Sequence, residues 1–83
     1  PNPFNPRTTV SFTLDRPGPA TLNVYDARGQ LVRVLVNENL PAGPPAVTWI
    51  GADPAGRPVA SGVYFYRLDA DGRSLGKRML LVK

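Results

Sequence analysis

Ala20-Thr21-Leu22-Asn23-Val24-Tyr25-Asp26, followed at once by Ala27-Arg28-Gly29, is the stretch that settles the fold class. Leu22 and Val24 fall on one face of an alternating pattern, and a period of two is that of a strand with one side buried. The Asp-Ala-Arg-Gly tetrapeptide then predicts a tight hairpin turn, with Gly29 supplying the positive φ that closes it. A strand that ends this way needs an antiparallel neighbour, and residues 31–36 provide one. Their all-apolar set Val32, Val34 and Val36 is expected inward, with a bulge near Leu35.

The same signals repeat outward from this hairpin. Before it, residues 8–14 alternate Val10, Phe12 and Leu14 against Thr9, Ser11 and Thr13, and Arg16-Pro17-Gly18-Pro19 ends that run. After it, residues 37–45 read as a loop, because Pro41, Pro44 and Pro45 do not suit a central strand. Residues 46–50 form a fourth run with Val47 and Trp49 on one face. Residues 51–62 are the longest irregular stretch. In residues 63–70, Tyr64, Tyr66 and Leu68 face one way and Val63, Phe65 and Arg67 the other. Asp69-Ala70-Asp71-Gly72 predicts a second turn of the Asp26–Gly29 kind. The last run, residues 77–82, turns Met79 and Leu81 inward and leaves Leu80 and Val82 covered or at an edge. No segment sustains the i, i+3, i+4, i+7 pattern of an amphipathic helix.

Six to seven short antiparallel strands with turns at regular spacing predict an all-β, immunoglobulin-like antiparallel β-sandwich, with a small barrel as the alternative. The expected organisation is a linker remnant over residues 1–7 and a single β-sandwich domain over residues 8–83. The opening Pro1-Asn2-Pro3-Phe4-Asn5-Pro6 has neither an initiator Met nor a basic signal region, so the chain reads as part of a longer protein.

Composition excludes more than it offers. The 83 residues contain no Cys and no His. Disulfides, zinc sites and iron–sulfur clusters are therefore ruled out, and so are the usual nucleophile–base pairs. No cofactor is expected. Of the six acids, Asp26, Asp53, Asp69 and Asp71 sit beside turn glycines, where Asp caps its own backbone. Asp69-Ala70-Asp71-Gly72 departs from an EF-hand loop, since its glycine comes fourth and Leu80 stands at the twelfth position; a loose surface calcium site at Asp53 or Asp71 is a separate reading. Ser11, Ser61 and Ser74 are ordinary strand and turn residues. The formal charge is +4, carried by eight Arg and two Lys spread singly apart from Lys77-Arg78. That pattern favours a solvated surface over a nucleic-acid stripe, so no nucleic-acid partner is expected. No apolar run approaches the roughly 20 residues that span a bilayer. Trp49, Tyr64 and Tyr66 fall on core faces, which leaves Tyr25 and Phe65 as the aromatics of a weak glycan-stacking platform.

Taken in order, six motifs carry a family resemblance: the Pro-Asn-Pro-Phe-Asn-Pro opening, Val24-Tyr25-Asp26-Ala27-Arg28-Gly29, Leu40-Pro41-Ala42-Gly43, Val47-Thr48-Trp49, Val59-Ala60-Ser61-Gly62-Val63-Tyr64-Phe65-Tyr66, and the Lys77-Arg78-Met79-Leu80-Leu81-Val82-Lys83 close. The chain resembles the C-terminal sorting domains of type IX secretion substrates and the related immunoglobulin-like domain of the flagellar hook capping protein. Ile50, where the family usually has a polar residue, and Pro44-Pro45 depart from the pattern locally. The sorting resemblance implies a non-catalytic module of a larger secreted protein, recognised as a folded domain by outer-membrane export machinery. It further implies cleavage of the domain and its replacement by an attachment to surface lipopolysaccharide, and a secreted or cell-surface location in a Gram-negative bacterium. The hook-capping resemblance implies a structural or assembly role instead. By position, contact is expected at Gly62, Tyr64, Lys77, Arg78, Met79, Leu80, Leu81 and Val82. An apolar terminal strand flanked by Lys77 and Lys83 suits β-augmentation, and equally suits an edge guarded by its lysines.

Overall fold

The computed structural model of the chain describes residues 8–44 and 46–82. The expected linker over residues 1–7 lies outside them. Six strands run in order: β1 (Thr8–Ser11), β2 (Gly18–Asp26), β3 (Leu31–Leu40), β4 (Ala46–Trp49), β5 (Gly62–Ala70) and β6 (Arg73–Leu81). Every pairing is antiparallel, and no described residue is helical. A four-stranded sheet has the order β3-β2-β5-β6, and a two-stranded sheet pairs β1 with β4. The architecture is the immunoglobulin-like sandwich that the alternation predicted.

β2 sits at the centre of the large sheet because it alternates most cleanly. Ala20, Leu22 and Val24 are buried on one face. Leu22 gathers Val10, Val36 and Leu68 around it, while Val24 lies with Trp49, Tyr64, Met79 and Leu81. Val10 and Trp49 come from the small sheet, so these two clusters are the glue between the layers. Fully burying an aliphatic side chain of this size contributes about 1.5–3 kcal/mol.

Several boundaries differ from expectation. β1 stops at Ser11; Leu14 returns in an isolated bridge to Gly43, its N–H donating to the Gly43 carbonyl at 2.9 Å and its carbonyl accepting from the Gly43 N–H at 3.0 Å. β3 runs on through Asn37-Glu38-Asn39-Leu40, which had read as loop, because that backbone pairs with Gly18 to Thr21 of β2. Its polar side chains stand in solvent, so no apolar alternation marks it. Pro19 sits one residue past the last β2–β5 pair, Ala20–Ala70, where a missing N–H is tolerated. β6 starts at Arg73, four residues earlier than the alternation alone suggests.

The face of β3 is a further correction. Leu22 pairs with Val36 and Asn23 with Val34, which leaves Leu35 as the extra residue of the expected bulge. A second shift, from Val24–Arg33 to Tyr25–Leu31, leaves Val32 unpaired in the same way. Each bulge resets which side the next residue faces. Leu35 therefore packs against both core clusters, and Val34, expected inward, is 44% exposed.

The two turns that looked alike are built differently. At Asp26 one carboxylate oxygen accepts from the Arg28 and Gln30 amides, both at 2.9 Å, while Gly29 N–H donates to the Asp26 carbonyl. Asp53 repeats this set, accepting from Ala55 at 3.0 Å and Arg57 at 2.9 Å, with Gly56 N–H on its carbonyl. The β5–β6 turn instead places Asp71 at φ 54° and Gly72 at φ 68°, the signature of a two-residue type I′ hairpin. Asp69 takes no part in closing that turn and binds the Ser74 hydroxyl and Arg67 instead.

Candidate functional site

The region expected to make contact is the end of the large sheet where β5 begins and β6 ends. Register brings its residues together: Gly62 pairs with Leu81, Tyr64 with Met79, Phe65 with Arg78 and Tyr66 with Lys77. They do not share an environment. Tyr64, Met79 and Leu81 are buried. They position the strand from inside and offer no side chain to a partner. Lys77, Arg78, Leu80 and Val82 are exposed, Leu80 at 69%. Gly62 is half-buried at the head of β5.

The inner anchor is specific. Trp49 and Tyr64 meet edge to face, centroids 5.2 Å apart and planes at 67°. Such a pair adds about 0.5–1.5 kcal/mol beyond the area it buries. The Trp49 indole N–H donates to the Ala52 carbonyl at 2.9 Å, and the Tyr64 hydroxyl donates to the Ala60 carbonyl at 2.6 Å. Arg33 reaches from β3 to the Asp53 carbonyl at 2.9 Å. Residues 51–62, predicted irregular, are thus tied at three points and close on themselves through the Ala52–Pro58 bridge and the Asp53 turn. Burial of the Tyr64 hydroxyl, with the Asp26 charge as a lesser cause, raises its pKa above the ordinary phenol value.

β6 carries no acidic residue. Among the described residues, no carboxylate comes within ion-pair distance of Lys77 or Arg78. At the start of β6 the acids are engaged: Asp69 with Arg67 and Ser74, and Asp71 with the Asp15 amide at 3.1 Å and Arg73 at 3.9 Å. The Ser74 hydroxyl, followed by Arg67, holds the Asp69 carboxyl below the usual carboxylate range.

Sequence reasoning missed the first half of β6. Leu75 and Lys77 share the core-facing side with Met79, yet Leu75 is 55% exposed. It borders an open groove with Phe12, Leu14 and Leu68. The Asp71-Gly72 pair was the available signal, since a type I′ turn returns the chain to strand at the next residue. On the outer face, Leu31, Tyr25, Phe65 and Arg78 line up across all four strands. Tyr25 is half-buried and its hydroxyl accepts from Asn23 at 3.2 Å, so Phe65 is the more open of the two aromatics.

No group of three or more metal-ligating side chains converges among the described residues. The described residues contain no helix long and apolar enough to cross a membrane, which leaves spanning by strands unaddressed.

The match to known proteins follows the fold. No curated protein matches the chain. Among solved structures, FlgD from P. aeruginosa superposes with a TM-score of 0.62 at 26% identity, over 90% of this chain and 61% of that one. The chain thus spans less than two thirds of the length of that protein. The sorting-domain half of the resemblance finds no support in these comparisons. The model of the FlgD Ig-like domain matches residues 4–74, which is most of the chain and stops at the start of β6. The chain belongs to the FlgD Ig-like domain family.

Proposed function

We propose that this domain is a non-catalytic structural module that joins protein subunits in an extracellular assembly of the flagellar-hook type, in a Gram-negative cell. The family match over residues 4–74 carries this reading. The chemistry agrees with it. Trp49 and Tyr64 are core, and of the two aromatics left for a glycan platform Tyr25 is half-buried and only Phe65 is exposed, while the acids are mostly engaged in turns. What the fold presents outward is strand edge and sheet face, the surfaces by which β-domains meet other proteins. Partners are accordingly other protein subunits, with neither glycan nor lipopolysaccharide in the proposal.

Deleting the domain from the full-length protein separates assembly from sorting. The expected result is normal export with loss of higher-order assembly, read by cross-linking and by electron microscopy of the cell surface. Retention of the truncated protein in the periplasm would return the sorting role. Unchanged export together with unchanged assembly would overturn both.

A further inference from the structure

Two strands of the large sheet have a free edge, β3 and β6. The β3 edge is interrupted by its two bulges. The β6 edge is not: nine consecutive pairs, from Gly62–Leu81 to Ala70–Arg73, hold one register. The orientation of its amides follows from the turn. A two-residue hairpin closes on a doubly hydrogen-bonded pair, here Ala70–Arg73, and bonding alternates from there. The amides of Arg73, Leu75, Lys77, Met79 and Leu81 therefore point to β5. Those of Ser74, Gly76, Arg78 and Leu80 point out of the sheet, a row of four donors, with their carbonyls, that no strand among the described residues pairs with.

We propose that the free edge of β6 accepts an extended, acidic segment of another protein as a fifth strand of the large sheet. Backbone pairing supplies the affinity and the cations choose the partner. Lys77 and Arg78 lack carboxylate partners among the described residues, so a strand laid along β6 with Asp or Glu opposite them gains cross-strand ion pairs. Leu80 and Val82 add apolar contact at the far end. The same charges discourage a second copy: a fully overlapped antiparallel pairing of two β6 edges sets Lys77 directly opposite its counterpart, and like charges so placed are destabilising. Edge cations thus block self-association and select for acid. This inference rests on the assembly reading and names the chemistry of one partner contact.

The test uses two synthetic heptapeptides, Thr-Val-Glu-Glu-Val-Thr-Val, whose adjacent acids face opposite sides of a strand as Lys77 and Arg78 do, and its Lys-Lys counterpart, titrated into the chain by calorimetry at low and high salt. The acidic peptide is expected to bind, to weaken by about tenfold on adding salt, and to slow hydrogen exchange at Ser74, Gly76, Arg78 and Leu80. Gly76→Pro removes an outward donor without touching the β5 ladder, and a Cβ at this position meets only ordinary contact, 3.6 Å from the Tyr66 carbonyl. It is expected to abolish binding while the melting temperature and circular dichroism stay native. Lys77→Glu with Arg78→Glu is expected to invert the preference between the two peptides. Equal binding of both peptides, binding of neither, or acidic binding that survives Gly76→Pro would overturn the proposal. So would concentration-dependent dimers that protect the same four amides, or binding that emerges only when residues 1–7 are deleted. If Gly76→Pro in the full-length protein loses peptide binding yet assembles normally, this contact fails and the assembly reading stands.

Discussion

β3 and β6 border the same sheet and meet solvent in different ways. β3 is bent by bulges at Leu35 and Val32 and is tied by Arg33 to the carbonyl of Asp53. β6 holds one register throughout, alternates between buried and exposed only from Met79 to Leu81, and has no such tether along its second half among the described residues. The difference teaches how a small sandwich manages two exposed edges. One is made irregular, so that no second strand can match its amide spacing. The other stays regular and is protected by charge alone, which repels some partners and admits others.

The comparison breaks most sharply in the core. Met79→Ala is expected to cost about 3 kcal/mol, whereas its neighbour Leu80→Ala stays within about 0.5 kcal/mol, read by urea denaturation. Similar costs at both positions would mean that β6 does not alternate as described. On β3 the bulge replaces alternation. Leu35→Ala is expected to cost about 2 kcal/mol and Val34→Ala about 0.5 kcal/mol or less, and the reverse order would move the bulge.

Smaller effects separate the hairpins. Asp26→Ala frees two amides of the β2–β3 turn and is expected to cost about 1 kcal/mol. Asp69→Ala leaves the β5–β6 turn closed, so the residue that matters there is Gly72. At φ 68°, Gly72→Ala is expected to cost about 1 kcal/mol through backbone strain. The smallest effect is on pH dependence. Asp69 is held below the ordinary carboxylate range by the Ser74 hydroxyl and Arg67, and Asp53 by the Arg57 amide and then the Arg57 charge. Because both folded values are depressed, their stabilisation is present above the unfolded carboxylate value, about 4, and is lost as pH falls through the folded values. The melting temperature should therefore fall on acidification below about pH 4, and Asp69→Asn or Asp53→Asn should flatten part of that slope.

What the sequence made legible follows the same division. Alternation placed Leu22, Val24, Tyr64, Leu68, Met79 and Leu81 on the core face, because in a regular strand parity is geometry. It misplaced Val34, because a bulge changes parity and two bulges change it twice. It missed Asn37 to Leu40 and the start of β6, where edge strands keep their backbone pairing while their side chains stay polar. The two Asp-Ala-X-Gly turns looked equivalent because the side-chain signal is the same. Their difference lies in which residues carry positive φ, and at the second turn that is Asp71 as well as Gly72. Of the expected contact residues, alternation already marked Met79 and Leu81 as inward. It left Leu80 and Val82 either covered or at an edge; the strand order β3-β2-β5-β6 puts them at the edge, and such an order is not written in any single strand.

Trp49 has a use that its packing role conceals. It is the chain's single tryptophan, it lies in the small sheet, and its ring rests on Tyr64 of the large one. Its emission therefore responds to the two layers coming together, which strand pairing within the large sheet alone does not bring about. Followed beside far-ultraviolet circular dichroism during refolding, it distinguishes the moment the sheets form from the moment they close. A lag between the two signals would reveal paired hairpins that have not yet found their opposite layer.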